Sequence, residues 1–300
     1  MDSTNGIFGS GISLSGSDTV SQIVTGVAIV VILYMSLSTA EWTYKSVKRM
    51  WKDRVELFPK TYASGSRMYT AIQNPSNALS KTITVSDNQR NGVEFSYAMF
   101  IYLSSDTFSN GNQELLHILH KGYNQSYPLM GPGIFAWGDR NALRIYMNCF
   151  NTWNNYSDIE NIPVDKWFHL VVSCKGNKIH LYINGSLKTK MNLSHNTPPY
   201  QNYGDVYLFS PRKLTISPSI TMSLESEENM YGQRLQNLSS LNFGGAAKGM
   251  ASRVFYFSYA LTYTEIQALI NMQPSKEMDS TNMSMAPYLS DTWWVNKQGP

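Results

Sequence analysis

The sequence predicts an all-β protein, an antiparallel β-sandwich, preceded by one N-terminal transmembrane α-helix. Three observations lead there. An uncharged run of 22 residues spans 19–40. Short apolar-rich stretches then recur from 93 to 210, separated by Gly, Asn, Asp and Pro. The composition, 42% hydrophobic, 13% aromatic and 15% charged, provides a sizeable core and excludes disorder throughout. With so few charges, solubility rests largely on Asn, Ser, Thr and Tyr. A net charge of +3 on 300 residues excludes a strongly basic nucleic-acid binder. Two cysteines, Cys149 and Cys174, make neither a disulfide framework nor a zinc site of their own.

The first element is a Gly/Ser-rich arm, residues 1–18. The helix follows at 19–40, with VAIVVILYM at its centre, 27–35. At helical rise it reaches about 33 Å, enough for a hydrocarbon core of about 30 Å. Trp42 and Tyr44 fall where an interfacial aromatic belt would lie, and Lys45, Lys48 and Arg49 where anionic head groups would be. Charge is distributed to match. Residues 1–40 hold two acidic groups and no basic one, 41–60 hold six basic against three acidic, and the rest eighteen against sixteen. The positive-inside rule then leaves the N-terminus outside and the C-terminal domain cytosolic. A secretory signal peptide is the rival reading, since Ser38-Thr39-Ala40 resembles a cleavage site, but no positive charge precedes the apolar run. Six Asn-x-Ser triplets, at Asn124, Asn155, Asn184, Asn192, Asn237 and Asn282, carry little weight in so Asn-rich a chain.

Residues 41–60 read as a basic juxtamembrane stem continuing the helix until Pro59 stops it. A linker, 61–80, precedes the sandwich at 81–271. Strands are expected at 93–103, 114–120, 133–137, 143–150, 167–174, 179–183, 186–191 and 206–210. Asn184-Gly185 between two of them is a type I′ hairpin signal, because both turn residues need positive φ. Residues 212–241 read as an insertion without a convincing core strand. Thr262-x-x-Glu265 is a capping box, and Ile266, Leu269 and Ile270 give the helix it opens one apolar face. In the tail, 272–300, Trp293 and Trp294 suggest a docking peptide for a protein or membrane surface, or packing back onto the sandwich.

Two segments carry a resemblance. Val164-Asp165-Lys166-Trp167-Phe168-His169-Leu170-Val171-Val172, followed by Ile179-His180-Leu181-Tyr182-Ile183-Asn184-Gly185, resembles the central hairpin of the laminin G-like, concanavalin A-like lectin/glucanase jelly-roll family. Phe243-Gly244-Gly245, then the stretch from Gly249 to Phe257, then Ala260-Leu261-Thr262-Tyr263-Thr264-Glu265-Ile266, is similar to its last core strand and closing helical turn. The resemblance covers about 80–271 and implies a concanavalin A-like jelly roll. A membrane anchor followed by one such domain in an Asn/Tyr-rich chain also looks like proteins encoded by large double-stranded DNA viruses.

Glucanases of this fold deliver paired carboxylates from one strand face as E-x-D-x-x-E, and that triplet is missing here. Glu225, Glu227 and Glu228 lie in the insertion, and Asp158 and Glu160 share strand spacing in an Asn-rich stretch. No enzyme and no cofactor are therefore expected. His117 and His120, three apart on a strand, should point to opposite faces, which opposes joint metal ligation. Some relatives bind calcium through loop oxygens, and Asp139 and Asn141 could offer them. A lectin site needs an exposed aromatic beside amides or carboxylates, for which Trp137, Asp139, Asn148 and Trp153 are the candidates. The leading functional expectation is a minor virion protein tethering an inner membrane to its capsid, with the bilayer and capsid proteins as partners. The alternative is a membrane-anchored, lectin-like surface protein that binds carbohydrate with its domain outside the cell, and the third a glycan hydrolase.

Overall fold

The computed structural model describes residues 19–86, 93–109, 111–193, 197–217 and 241–279, in two units that divide after Lys52. The first unit is one helix, α1 (Thr19–Lys52), 34 residues long. Its segment Gln22–Trp51 is long and apolar enough to cross a membrane, and its apolar side chains are exposed, Ile32 by 65% and Leu37 by 69%. A row of this kind is costly in water and favourable in lipid. A membrane anchor and a signal sequence share these features. Ser36, Thr39 and Thr43 hide their hydroxyls by donating to carbonyls three residues back, at 2.8–2.9 Å. Beyond them, Lys45 pairs with Glu41 at 2.6 Å and Lys48 lies over the Tyr44 ring.

Among the described residues the second unit has fourteen strands: β1 (Arg54–Ala63), β2 (Tyr69–Ala71), β3 (Glu94–Leu103), β4 (Glu114–Gly122), β5 (Gly133–Trp137), β6 (Ala142–Tyr146), β7 (Tyr156–Glu160), β8 (Trp167–Lys175), β9 (Lys178–Ile183), β10 (Ser186–Asn192), β11 (Asp205–Leu208), β12 (Lys213–Ile216), β13 (Leu241–Ala246) and β14 (Gly249–Phe257). They form two packed sheets. One runs β1-β14-β3-β8-β9-β10, and the other β12-β13-β4-β5-β6-β7, with β11 joining β4 to β2. All pairings are antiparallel except β13 with β4. Alternate residues meet between the sheets, Phe95, Tyr97, Met99, Ile101 and Leu103 of β3 facing Leu116, Ile118, Leu143 and Ile145 across the core. This is the expected antiparallel sandwich behind a long apolar helix.

Local signals in the sequence appear as structure. Asn184 and Gly185 adopt φ of 50° and 79° at the β9–β10 turn. A side chain at 185 would also run into Gln267 of α2 (Tyr263–Asn271), which packs beneath the turn. At the start of α2 the Thr262 hydroxyl accepts from the Glu265 N–H, and the Glu265 carboxylate accepts from the Thr262 N–H at 2.7 Å.

Several expected elements end elsewhere. The helical stem over 41–60 stops at Lys52, and residues from Arg54 form β1, paired with β14. Pro59 does not end a helix. It sits in an edge strand where the register with β14 shifts, so its missing N–H costs no ladder bond. The linker over 61–80 contains β2, and the strand over 143–150 ends at Tyr146. Within 212–241, residues Lys213–Ile216 form an edge strand on β13. The tail begins by docking on β1, with Thr61 N–H donating to Glu277 O and Asp279 N–H to Thr61 O, both at 2.8 Å. Trp293 and Trp294 lie outside the described residues, as do Glu225, Glu227 and Glu228.

Candidate functional site

The four expected lectin residues separate into two pairs. Trp137 and Asp139 belong to the β5–β6 hairpin, whereas Asn148 and Trp153 belong to the β6–β7 loop at the opposite end of the same strands. Five-residue strands put about 16 Å between the two ends.

At the hairpin end Trp137 is buried rather than presented. The guanidinium carbons of Arg140 and Arg144 lie 3.9 and 4.5 Å from its ring. Arg144 is itself fixed, with two hydrogen bonds of 2.7 Å to Asp158 and its plane 3.9 Å from the Tyr156 ring. Burial works against its charge, but the hydrogen bonds it donates to Asp158 and the proximity of Tyr146 outweigh it, so its pKa rises further. The Trp137 indole N–H and one Asp139 carboxylate oxygen are buried without partners. Asn141 donates its amide N–H to Ile162 O at 2.9 Å, which fixes the orientation of one of the two residues that could offer oxygens to calcium. No cluster of three or more His, Cys, Asp or Glu side chains suited to a metal occurs among the described residues.

Asn148 is a scaffold, not a ligand contact. Its Oδ1 accepts from the Met130 N–H, and its Nδ2 donates to Pro128 O at 3.1 Å and Trp153 O at 2.6 Å. It is fully buried and ties the β4–β5 loop to the β6–β7 loop. What these loops expose is aromatic. Tyr123 of the β4–β5 loop is 66% exposed, Phe150 of the β6–β7 loop 63%, and Tyr203, just before β11, 81%. Tyr200 meets Phe150 edge-on at 5.2 Å and Trp153 at 6.0 Å, so Trp153 is half-buried inside this group. All three loops leave the same end of the second sheet, because β4 ends, β5 begins, β6 ends, β7 begins and β11 begins there. Gly204 lets the last of them cross the backbone of Gly122, where any side chain would collide.

The histidines are structural, and one expectation about them reverses. A register shift between His117 and Leu119 puts His117 and His120 on the same side of β4. His120 stacks on Tyr207 and hands its Nε2 proton to Tyr123 O at 2.7 Å. His169, of the hairpin motif, is buried against Phe100 with its backbone N–H on Asn184 Oδ1. Cys149 and Cys174 are free, buried thiols, the first pushed up to about 11 by burial.

No curated protein matches the chain. Solved structures similar to it include the receptor-binding domain of botulinum neurotoxin mosaic serotype C/D, at 14% identity and TM-score 0.39, over 60% of this chain and 37% of that one. A structure of botulinum neurotoxin type C, a toxin whose cell entry depends on interaction with two ganglioside molecules, matches at 16% identity and TM-score 0.37, over 60% and 36%. Trypanosoma rangeli sialidase matches at 13% and 0.37, over 59% and 22%. The chain thus spans little more than a third of those neurotoxin structures and less of the sialidase. Residues 77–210, under half of the chain, match the family model described as the concanavalin A-like lectin/glucanases superfamily, and that stretch of the sandwich is a concanavalin A-like jelly-roll domain.

Proposed function

We propose that this chain is a membrane-anchored, lectin-like protein whose sandwich binds carbohydrate through the aromatic rim at one end of its second sheet. One observation carries the reading: Tyr123, Phe150 and Tyr203 project their rings into solvent from three loops held together at that end. Exposed rings beside amide-bearing loops are what the apolar faces and hydroxyls of a sugar ring require. The match to a lectin/glucanase model supports the same reading, and α1 supplies the anchor, with Trp42, Tyr44, Lys45, Lys48 and Arg49 at the interface.

The activity proposed is binding without chemistry. On the outer face of the second sheet the Asp158 carboxylate accepts two hydrogen bonds from Arg144 and is engaged in that ion pair. The tethering of a membrane to a capsid rests on likeness of architecture alone.

The test is a glycan array probed with the full chain in lipid nanodiscs. Selective binding that Phe150→Ser and Tyr203→Ser each reduce about tenfold is expected, as for loss of one aromatic contact. Selective binding untouched by both substitutions moves the site away from the rim, and no selective binding ends the proposal.

A further inference from the structure

Beneath the rim the two sheets part around a cavity of about 400 Å³. Phe95, Tyr97 and Tyr256 of the first sheet form an aromatic wall, Ile83 adds apolar surface, and Lys121 of the second sheet lines the opposite side. On β4 the register shift turns Lys121 inward rather than to solvent. Its side chain is buried, with 3% of the residue exposed.

A buried ammonium normally collects three acceptors or a carboxylate. Lys121 Nζ donates to one group, Gly204 O, at 2.6 Å. Asp205 contributes a favourable field from farther away, but its Oδ1 accepts the Gln73 N–H at 2.8 Å. Among the described residues no carboxylate forms an ion pair with Lys121. Asn202 also faces the cavity with both amide atoms spent, on Lys121 O and on the Gly204 N–H. Two ammonium protons therefore remain at the edge of an aromatic chamber, with no acceptor for them among the described residues.

We propose that this cavity is a binding site for a small molecule with an apolar, ring-sized body and one carboxylate, the body lying against Phe95, Tyr97 and Tyr256 and the carboxylate accepting from Lys121. A single charge matches one lysine with two free donors, whereas a phosphate dianion would bring more oxygens than the site can satisfy. Burial lowers the Lys121 pKa to about 8, so the amine remains largely cationic at neutral pH and gains from an anionic partner. The site lies between the sheets and shares Tyr203 with the rim, while its apolar wall and Lys121 belong to the cavity alone.

The experiment uses the full chain in nanodiscs and a matched pair of probes, phenylpropionate and phenylpropanol, titrated by calorimetry. The acid should bind about tenfold more tightly than the alcohol, the size of one charge-assisted contact. Lys121→Met should erase that preference while leaving alcohol binding intact. Val85→Trp, at an exposed position on the cavity wall, should block both probes. Should Lys121→Met fail to fold, the native chain still decides, because the preference for the acid must fade as pH rises above about 8, where the lysine loses its proton. Equal affinities for acid and alcohol, no binding of either probe, a preference that survives Lys121→Met or one unchanged with rising pH overturns the proposal.

Discussion

His117 Nε2 and His120 Nδ1 lie 2.6 Å apart inside the second sheet, in a chain of hydrogen bonds that fixes both tautomers. The Ser210 N–H donates to His117 Nδ1 at 2.8 Å, so His117 must carry its proton on Nε2 and give it to His120 Nδ1. His120 in turn carries its proton on Nε2, which meets Tyr123 O. Every ring nitrogen is satisfied only when both imidazoles are neutral. Burial depresses both pKa values, His120 to about 4 and His117 well below its ordinary value, the latter helped by its neighbour. His169, buried with no second charge, also falls to about 4. From the ordinary value of 6.5 down to about 4, the unfolded chain binds protons that the folded chain refuses, so stability drops on acidification. The loss should approach about 1.4 kcal/mol per pH unit for each histidine, and none of it should appear above pH 7. Urea unfolding at pH 7, 6 and 5 checks the sign, and a flat profile would contradict the neutral relay.

The relay also marks a limit of pattern reading. Simple alternation puts residues three apart on opposite faces, and the expectation for His117 and His120 failed because a bulge inserts one residue between them. A bulge leaves no signature in side-chain type here. The same holds for β1, where the stem over 41–60 reads as helix up to Pro59, while the pairing that makes Arg54–Ala63 a strand comes from β14, some 200 residues later. Strand β7 was obscured differently. As an edge strand it presents Ser157, Asp158 and Glu160, and its Asn-rich surroundings hid the buried Ile159. By contrast, the Asn184-Gly185 turn and the Thr262/Glu265 box depend on residues adjacent in sequence, and both are present. For the site, Trp153 was identifiable as an aromatic in a loop. The burial of Trp137 was not, because the cover of Arg140 and Arg144 arises only once the hairpin closes.

Replacing Asp158 tests the buried ion pair. Arg144 exposes 8% of its side chain and Asp158 26%, so removing the carboxylate strands a guanidinium that cannot shed its charge. Asp158→Ala should cost about 3 kcal/mol, at the low end for such a loss because Asp158 is partly hydrated. The double variant Asp158→Ala/Arg144→Met should recover part of it. Chemical denaturation of both variants measures this, and a cost under about 1 kcal/mol for the single change would class the pair with surface salt bridges.

The capping box on α2 is a smaller, separable element. Thr262→Ala removes the acceptor for the Glu265 N–H and should destabilise by about 1 kcal/mol. Thr262→Ser keeps the oxygen and should be nearly neutral. The pair of midpoints in denaturant decides whether the hydroxyl, rather than the methyl group, matters.

Asn148 separates support of the rim from contact with ligand. Its two N–H donors face the carbonyls of Pro128 and Trp153. Asn148→Asp replaces those donors with oxygens and aims charge at both carbonyls inside a buried loop junction. A loss of at least about 2 kcal/mol is expected in the chain without any ligand. A ligand-contacting asparagine would instead leave stability unchanged and alter binding alone.

Membrane orientation can be read from the sequons because the fold makes them unequal. Asn124 is exposed in the β4–β5 loop and Asn192 is exposed at the end of β10. Asn155 is buried, its Nδ2 donating to Cys149 Sγ at 3.2 Å and Thr152 O at 3.1 Å, and cannot accept a glycan in the folded chain. If α1 spans a membrane, the positive-inside rule applied to the basic residues that follow it predicts a cytosolic sandwich. Expression in a secretory system should therefore leave Asn124 and Asn192 unmodified. A mass increase lost on Asn124→Gln or Asn192→Gln would put the sandwich in the lumen and overturn the orientation. The asymmetry makes the assay self-checking: glycosylation that persists in an Asn124→Gln/Asn192→Gln variant and maps to Asn155 would report modification before folding rather than the topology of the folded chain.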